Sequence, residues 1–263
     1  MDVNSLSPSH PCVRYPAQNH SAPLRLFCFP YACAGASVFY SWPSELTTDV
    51  ELCAVQLPGR EDKLLEPPFV RLEPLTEALA DALQPHLDKP FAFFGHSMGA
   101  LIAFEFARQL RRQKRAGPAH LFVAGHRAPH LPDRRPPIHH LPDELLIEEL
   151  RRLKGTPEEI LEHAELSRLL FPLVRADFAL CETYSYLPEP PLDCPIAAIG
   201  GIEDAEVAGN ELAAWREHTR GAFHLQMLPG DHFFLHNARP LLLDILSRAL
   251  VQLVRQRQEV PVS

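Results

Sequence analysis

The strongest constraint on the fold of this chain is a series of short, almost wholly apolar runs separated by stretches of helical period. Leu24 to Phe29 (L-R-L-F-C-F), Val50 to Gln56, Pro90 to Phe94, His120 to Ala124 and Cys194 to Gly200 have the length of strands and end at turn-forming residues. Glu73 to Leu87 repeats leucine every fourth position at Leu75, Leu79, Leu83 and Leu87. Ser97 to Leu110 gathers Ala100, Leu101, Phe104 and Ala107 on one side, so both segments read as amphipathic helices. A helix near Asn210 to His218, a strand at Phe223 to Leu228 and a helix from Pro240 to about Arg255 continue the alternation. Strands apolar on both faces, interleaved with helices, imply an α/β fold with a mainly parallel central sheet covered on both sides.

Residues 127 to 190 interrupt this pattern. They are charged, rich in proline and punctuated by helical pieces such as Asp143 to Arg152, and many of the chain's 27 prolines fall between 116 and 195 or within the first 30 residues. The expected organisation is a single domain: a flexible segment at 1–22, a core formed by 23–126 and 191–255, a helical lid inserted at 127–190, and a tail at 256–263. The insertion belongs above the C-terminal edge of the sheet, where such folds bind ligands.

Several function classes are disfavoured. A formal charge of −8 argues against a nucleic-acid partner, which would need cations to neutralise phosphates. The one basic run, Arg108 to Arg115, falls where a helix C-terminus favours positive charge. No stretch approaches the roughly 20 apolar residues of a membrane span, and the first 22 residues are polar, without the apolar run of a signal peptide, so a cytoplasmic protein is expected. Cys28, Cys53 and Cys194 lie in apolar runs and no C-x-x-C pair occurs among the six cysteines, which points to reduced core thiols. The adjacent His139 and His140 have no spaced partners for a metal, and neither metal nor cofactor is expected.

The motif that carries chemistry is Gly95-His96-Ser97-Met98-Gly99, a G-x-S-x-G sequence that joins an apolar strand directly to a helix. In that setting a sharp turn lifts the serine above the sheet, and the helix start supplies amides for an oxyanion. This is the nucleophile elbow of the α/β-hydrolase fold. Two other readings exist: Ser97 as a plain N-cap residue, and a carrier-domain serine bearing phosphopantetheine. The strand before Ser97 speaks against the second, because carrier domains are small helical bundles.

A serine hydroxyl needs a base, and in this fold the order along the chain is serine, acid, histidine. His232, in Gly230-Asp231-His232-Phe233-Phe234, follows a late strand and precedes the last helix, the expected place for the base; the competing reading is a surface-loop histidine. The acid is assigned to Asp204, three residues after Gly201 at the end of the preceding strand, with Glu203 and Glu206 facing water. Asp231 is the competitor, although a direct neighbour of His232 is poorly placed to orient its ring. The oxyanion amides are assigned to Met98, which follows the nucleophile, and to Ala32 in the loop after the first core strand.

These residues resemble the type II thioesterases, free-standing hydrolases that accompany nonribosomal peptide and polyketide synthases. The resemblance runs over about residues 24 to 252 and rests on F-C-F-P-Y-A at 27–32, Q-L-P-G-R-E at 56–61, F-F-G-H-S-M-G-A at 93–100, V-R-A-D-F at 174–178 and P-G-D-H-F-F at 229–234. It implies the triad Ser97, His232 and Asp204, the oxyanion amides of Ala32 and Met98, and hydrolysis of acyl thioesters on the phosphopantetheine arm of acyl or peptidyl carrier proteins. By that hydrolysis the enzyme would clear stalled acyl groups from a synthase. The implied enzyme uses no cofactor of its own, contacts neither nucleic acid nor membrane, and is expected to be a monomer.

The chain departs from the family at Cys33, where glycine is usual. Its side chain is expected to narrow the site or to impose an ordinary backbone angle, and a packing role is favoured over a reactive thiol. Arg60 is left open between structural pairing and phosphate contact. Leu146, Leu161, Leu170 and Phe178 are candidates to line an acyl pocket under the lid, or to pack within it. The triad alone would equally suit a general carboxylesterase or lipase, or an acyltransferase. A non-catalytic carrier or interaction protein is the remaining alternative.

Overall fold

The structure, a computed structural model, describes residues 12–258. The apolar runs form strands β1 (Val13–Arg14), β2 (Leu24–Phe29), β3 (Val50–Val55), β4 (Phe91–His96), β5 (Leu121–Ala124), β6 (Ile196–Gly201) and β7 (Phe223–Leu228). They make one sheet in the order β1-β3-β2-β4-β5-β6-β7, parallel throughout except for β1, which runs antiparallel to β3. This is the α/β-hydrolase architecture, with β4 in the middle of the sheet.

The two-residue period of the strands divides the interior into two layers. Phe27 and Phe29 of β2, Phe91 and Phe93 of β4 and Leu121 and Val123 of β5 face one layer, closed by α1 (Leu72–Ala82) and α2 (Met98–Arg112). Leu26 and Cys28, Ala92 and Phe94, and Phe122 and Ala124 face the other, closed by α8 (Arg239–Gln258) with Phe39 and Trp42. Leu75 and Leu79 of α1 and Leu242, Leu246 and Leu250 of α8 are essentially fully buried. At about 25 cal/mol per Å² of apolar surface removed from water, side chains of this size contribute roughly 2 kcal/mol each before ordering costs.

The boundaries differ from expectation in four places. Within the segment 1–22, expected to be flexible, residues 1–11 lie outside the described residues. The remainder adds β1 to the sheet edge, with Cys12 and Val13 buried and the Cys12 carbonyl accepting the Gln56 amide at 2.8 Å. The helix expected to reach Leu87 ends at Ala82 and gives way to a 3-10 turn at Gln84–His86, because Pro85 has no N–H to continue the α-helical ladder. The helix expected over 210–218 divides into α6 (Gly209–Ala213) and a 3-10 turn at Ala214–His218. Helix α8 continues through 258, past the expected boundary at 255, and the rest of the expected tail, 259–263, lies outside the described residues.

Between β5 and β6 the chain builds α3 (Asp143–Leu153), α4 (Glu158–Glu162) and α5 (Ala164–Glu182), which share a small core of Ile138, Leu146, Leu150, Leu161, Phe171 and Val174. The return from this insertion is tied to α2 by the basic run. Arg108, Arg111 and Arg112 all pair with Glu189, at 3.1, 2.7 and 2.7 Å. Burial works against the Glu189 carboxylate, but the hydrogen bonds from Arg111 and Arg112 and the charge of Arg108 draw its pKa down to about 2. These cations therefore anchor a segment as well as ending a helix. All six cysteines are free thiols, and among the described residues no helix is long and apolar enough to cross a membrane.

Candidate active site

Ser97 lies at the junction of β4 and α2 with φ 51° and ψ −120°, a conformation that strains any residue with a side chain. The two flanking glycines explain how so sharp a turn packs. A Cβ on Gly95 would strike the backbone of Gly99, and a Cβ on Gly99 would strike the Phe29 carbonyl of β2. The first turn of α2 can therefore sit directly on the sheet, while the Ser97 amide donates to the Ala124 carbonyl at 2.8 Å. Met98 is the first residue of α2, where helical geometry leaves the amide without an internal acceptor.

His232 and Asp204, the expected base and acid, lie on the loops after β7 and β6. The Asp231 carboxylate accepts the Phe233 amide at 2.9 Å, holding the turn that opens α7 (Phe234–Asn237) and presents the His232 ring to Ser97. With its proton on Nδ1, His232 donates to Asp204 Oδ2 at 2.9 Å and accepts the Ser97 hydroxyl through Nε2 at 3.0 Å. Asp204 is held by a turn in which its amide donates to the Gly201 carbonyl at 3.3 Å. Its Oδ1 accepts the amides of Glu206 and Val207 at 2.8 and 3.1 Å. The Asp204 side chain is fully covered. Asp204 thus occupies the position beside Nδ1, and Asp231 serves the backbone of its own turn. Glu203 is exposed, whereas Glu206 pairs with Arg152 and Arg135 at 2.7 and 3.2 Å.

His96 stands behind the base, its ring centroid 5.2 Å from that of His232 and 5.8 Å from that of Tyr31. Burial, reinforced by the neighbouring His232, holds its pKa far below the usual range, so the ring is neutral. His126, on the cavity wall, is likewise brought down to about 4 by burial and by Arg127. Both rings are therefore uncharged.

Ser97 and His232 open into a cavity of about 440 Å³ beneath the inserted helices, which also reaches Ala32 and Met98. Its apolar wall includes Ile138, Leu150, Leu153, Phe178 and Val207, and Arg134, Arg135, Arg152 and Glu206 also border it. Of the four candidate pocket residues only Phe178 lines it. Leu146, Leu161 and Leu170 turn inward to the core of the insertion. Helical period shows which residues share a face, but the face that meets the cavity depends on how the helices stack. Leu150 was missed for that reason, and Val207 because one apolar residue in a polar loop carries no periodic signal.

Two open questions at Cys33 and Arg60 have one structural answer. Cys33 adopts φ 67°, the left-handed conformation, so the ordinary backbone angle considered for it does not occur. Its side chain lines the cavity and packs on the core of the insertion. Burial, with the nearby Asp177 carboxylate, pushes its thiol well above the usual range, which leaves it a packing group and not a nucleophile. Arg60, 4% exposed, grips Asp177 of α5 through both terminal nitrogens, at 3.0 Å to Oδ2 and 2.8 Å to Oδ1. Its contacts are those of structural pairing.

The chain is also similar to known proteins. The family model described as Thioesterase domain matches residues 24–250. The gramicidin S biosynthesis protein GrsT of Aneurinibacillus migulanus is 47% identical over 232 residues, 88% of this chain and 91% of that protein. Among solved structures, RedJ, a thioesterase from the prodiginine biosynthetic pathway in Streptomyces coelicolor, aligns with a TM-score of 0.81 and 45% identity, covering 88% of this chain and 87% of RedJ. The type II thioesterase BorB from the borrelidin biosynthetic cluster aligns with a TM-score of 0.82 and 36% identity, covering 92% of this chain and 99% of BorB.

Proposed function

The chain belongs to the thioesterase family, and from that premise we propose that it hydrolyses acyl thioesters carried on the phosphopantetheine arm of carrier proteins, releasing stalled or aberrant acyl groups from a nonribosomal peptide or polyketide synthase. The observation that carries the reading is the unbroken relay from the Ser97 hydroxyl through His232 to Asp204, at 3.0 and 2.9 Å, opening into an acyl-sized cavity. Relatives that work in peptide and polyketide biosynthesis support the choice of substrate.

The chemistry follows from the geometry. Ser97 Oγ attacks the thioester carbonyl as its proton passes to His232 Nε2, and Asp204 stabilises the imidazolium through Nδ1–H. The carbonyl oxygen becomes an oxyanion held by the amides of Ala32 and Met98. Collapse breaks the carbon–sulfur bond, and the imidazolium returns its proton to the departing pantetheine thiolate. A water then adds to the acyl-serine, giving up a proton to His232, and the second collapse frees the carboxylic acid and restores Ser97. Water is the only co-reactant, so no cofactor is required. The insertion at 127–190 acts as the lid that shapes the acyl chamber.

The test is release of free acid from a carrier protein loaded with acyl-phosphopantetheine. Ser97→Ala is expected to lower kcat by at least about 10⁴ while leaving carrier binding intact. Absence of turnover by the parent enzyme, or turnover that survives loss of Ser97, would refute the proposal. A higher kcat/KM on simple oxygen esters than on carrier thioesters would favour a general esterase.

A further inference from the structure

We propose that Asp177, on helix α5 of the insertion, is a positioning residue for the oxyanion hole. This rests on the reading of Ala32 and Met98 as the oxyanion donors. One of those amides is already fixed: Met98 opens a fifteen-residue helix buried against the sheet. The other belongs to the loop after β2, which has no helix to hold it and must be braced from outside.

Asp177 supplies the brace. Its Oδ2 accepts the amide of Cys33, the residue after Ala32, at 2.6 Å. That bond fixes the peptide plane between Ala32 and Cys33 and holds Cys33 in its left-handed conformation, which a cysteine does not adopt without constraint. The Ala32 N–H lies in the adjoining peptide, across one Cα from the braced plane, and is left to turn toward the reacting carbonyl. Around this contact the loop is cross-linked again: Ala34 N donates to the Tyr31 carbonyl at 3.1 Å, Arg60 Nη1 to the Ala34 carbonyl at 3.1 Å, and Ala36 N to Gln56 Oε1 at 2.7 Å.

A bare carboxylate here would oppose the negative charge that develops on the substrate oxygen. Arg60 removes that penalty. Its two-pronged grip on Asp177 places a compensating charge in a site where the two side chains are 4% and 1% exposed. The sequence blocks 27–32, 56–61 and 174–178 therefore meet at one device, in which a helix of the insertion sets the geometry of a loop on the catalytic core.

Asp177→Asn preserves size but accepts through only one of its two terminal atoms, so it cannot satisfy both prongs of Arg60 and the Cys33 amide together. Rates on carrier-bound acyl thioester are normalised to active sites counted by end-point labelling of Ser97 with a fluorophosphonate. The affinity of an acyl trifluoromethyl ketone, which places an oxyanion in the hole when it adds to Ser97, is measured alongside. The expected result for Asp177→Asn is a fall in kcat of about 30- to 300-fold, KM within about twofold of the parent, and ketone binding weakened by a similar factor. A kcat within threefold of the parent, a loss carried by KM, or a lower kcat with unchanged ketone affinity would overturn the proposal. If that variant does not accumulate as folded protein, Arg60→Lys, which keeps the charge but not the two-pronged grip, replaces it. A loss of about 5- to 30-fold with the same kcat pattern supports the inference, and an unchanged kcat overturns it. Failure of the parent to hydrolyse thioesters would instead count against the proposed function, which separates the two.

Discussion

Ser97 occupies a backbone conformation of which serine has little intrinsic share, and the surrounding contacts hold it there. Gly95 and Gly99 permit the close approach of strand and helix, and the amide bond to Ala124 closes the turn. The proposed acid is held as narrowly. Asp204 receives two backbone amides on one oxygen and His232 on the other, so its carboxylate has one orientation available. Asp204→Asn is therefore expected to preserve the turn while favouring the wrong imidazole tautomer, with a loss of about 10³ to 10⁴ in kcat at neutral pH. The corresponding change at Asp231, which holds only the Phe233 amide, is expected to cost less than about tenfold. Steady-state hydrolysis of a carrier-bound thioester checks both, and equal losses would show that the relay is wrongly assigned.

At the scale of elements, the inserted helices divide their apolar residues between two tasks. Leu146, Leu161 and Val174 hold α3, α4 and α5 together, Leu153 and Phe178 face the chamber above Ser97, and Leu150 does both. Enlarging a residue of the second set is expected to change chain-length preference more than stability. Leu153→Trp should lower kcat/KM for long acyl groups about tenfold or more relative to acetyl, because the lost volume must be vacated by several methylenes. Leu146→Ala, which empties the interior of the insertion, should instead destabilise by about 2 to 4 kcal/mol, read as a shift in denaturant midpoint. An acyl profile unchanged by the tryptophan would place the chain elsewhere.

The whole molecule stores several histidines as neutral groups. Burial lowers His120, His126 and His218 to about 4 and takes His96 well below the usual range. Each would titrate near 6.5 in the unfolded chain, so below that pH the unfolded state binds more protons than the folded one. Their contribution to stability is complete above about pH 6.5 and is lost as pH falls toward 4. Denaturant midpoints measured across that window are expected to drop steeply, with a shallower fall in a variant carrying His120→Phe, whose ring can keep the stacking on Phe122. A flat profile between pH 6.5 and 4 would mean that these rings are hydrated in the folded protein.

Much of this architecture is legible in the residue order because its causes are local. Almost wholly apolar runs at 24–29 and 90–94, period four in Leu75, Leu79 and Leu83, and a glycine-flanked serine between strand and helix each express a geometry spanning a few residues. By itself the sequence determined the alternation of buried strands and amphipathic helices and the glycine-flanked turn that carries Ser97. Tertiary structure alone decided which face of α5 meets the chamber, that residues 13–14 add an edge strand to the sheet, and that Arg60 finds Asp177 across 117 positions. Contacts at such separation depend on the stacking of whole elements, to which no short window of sequence has access.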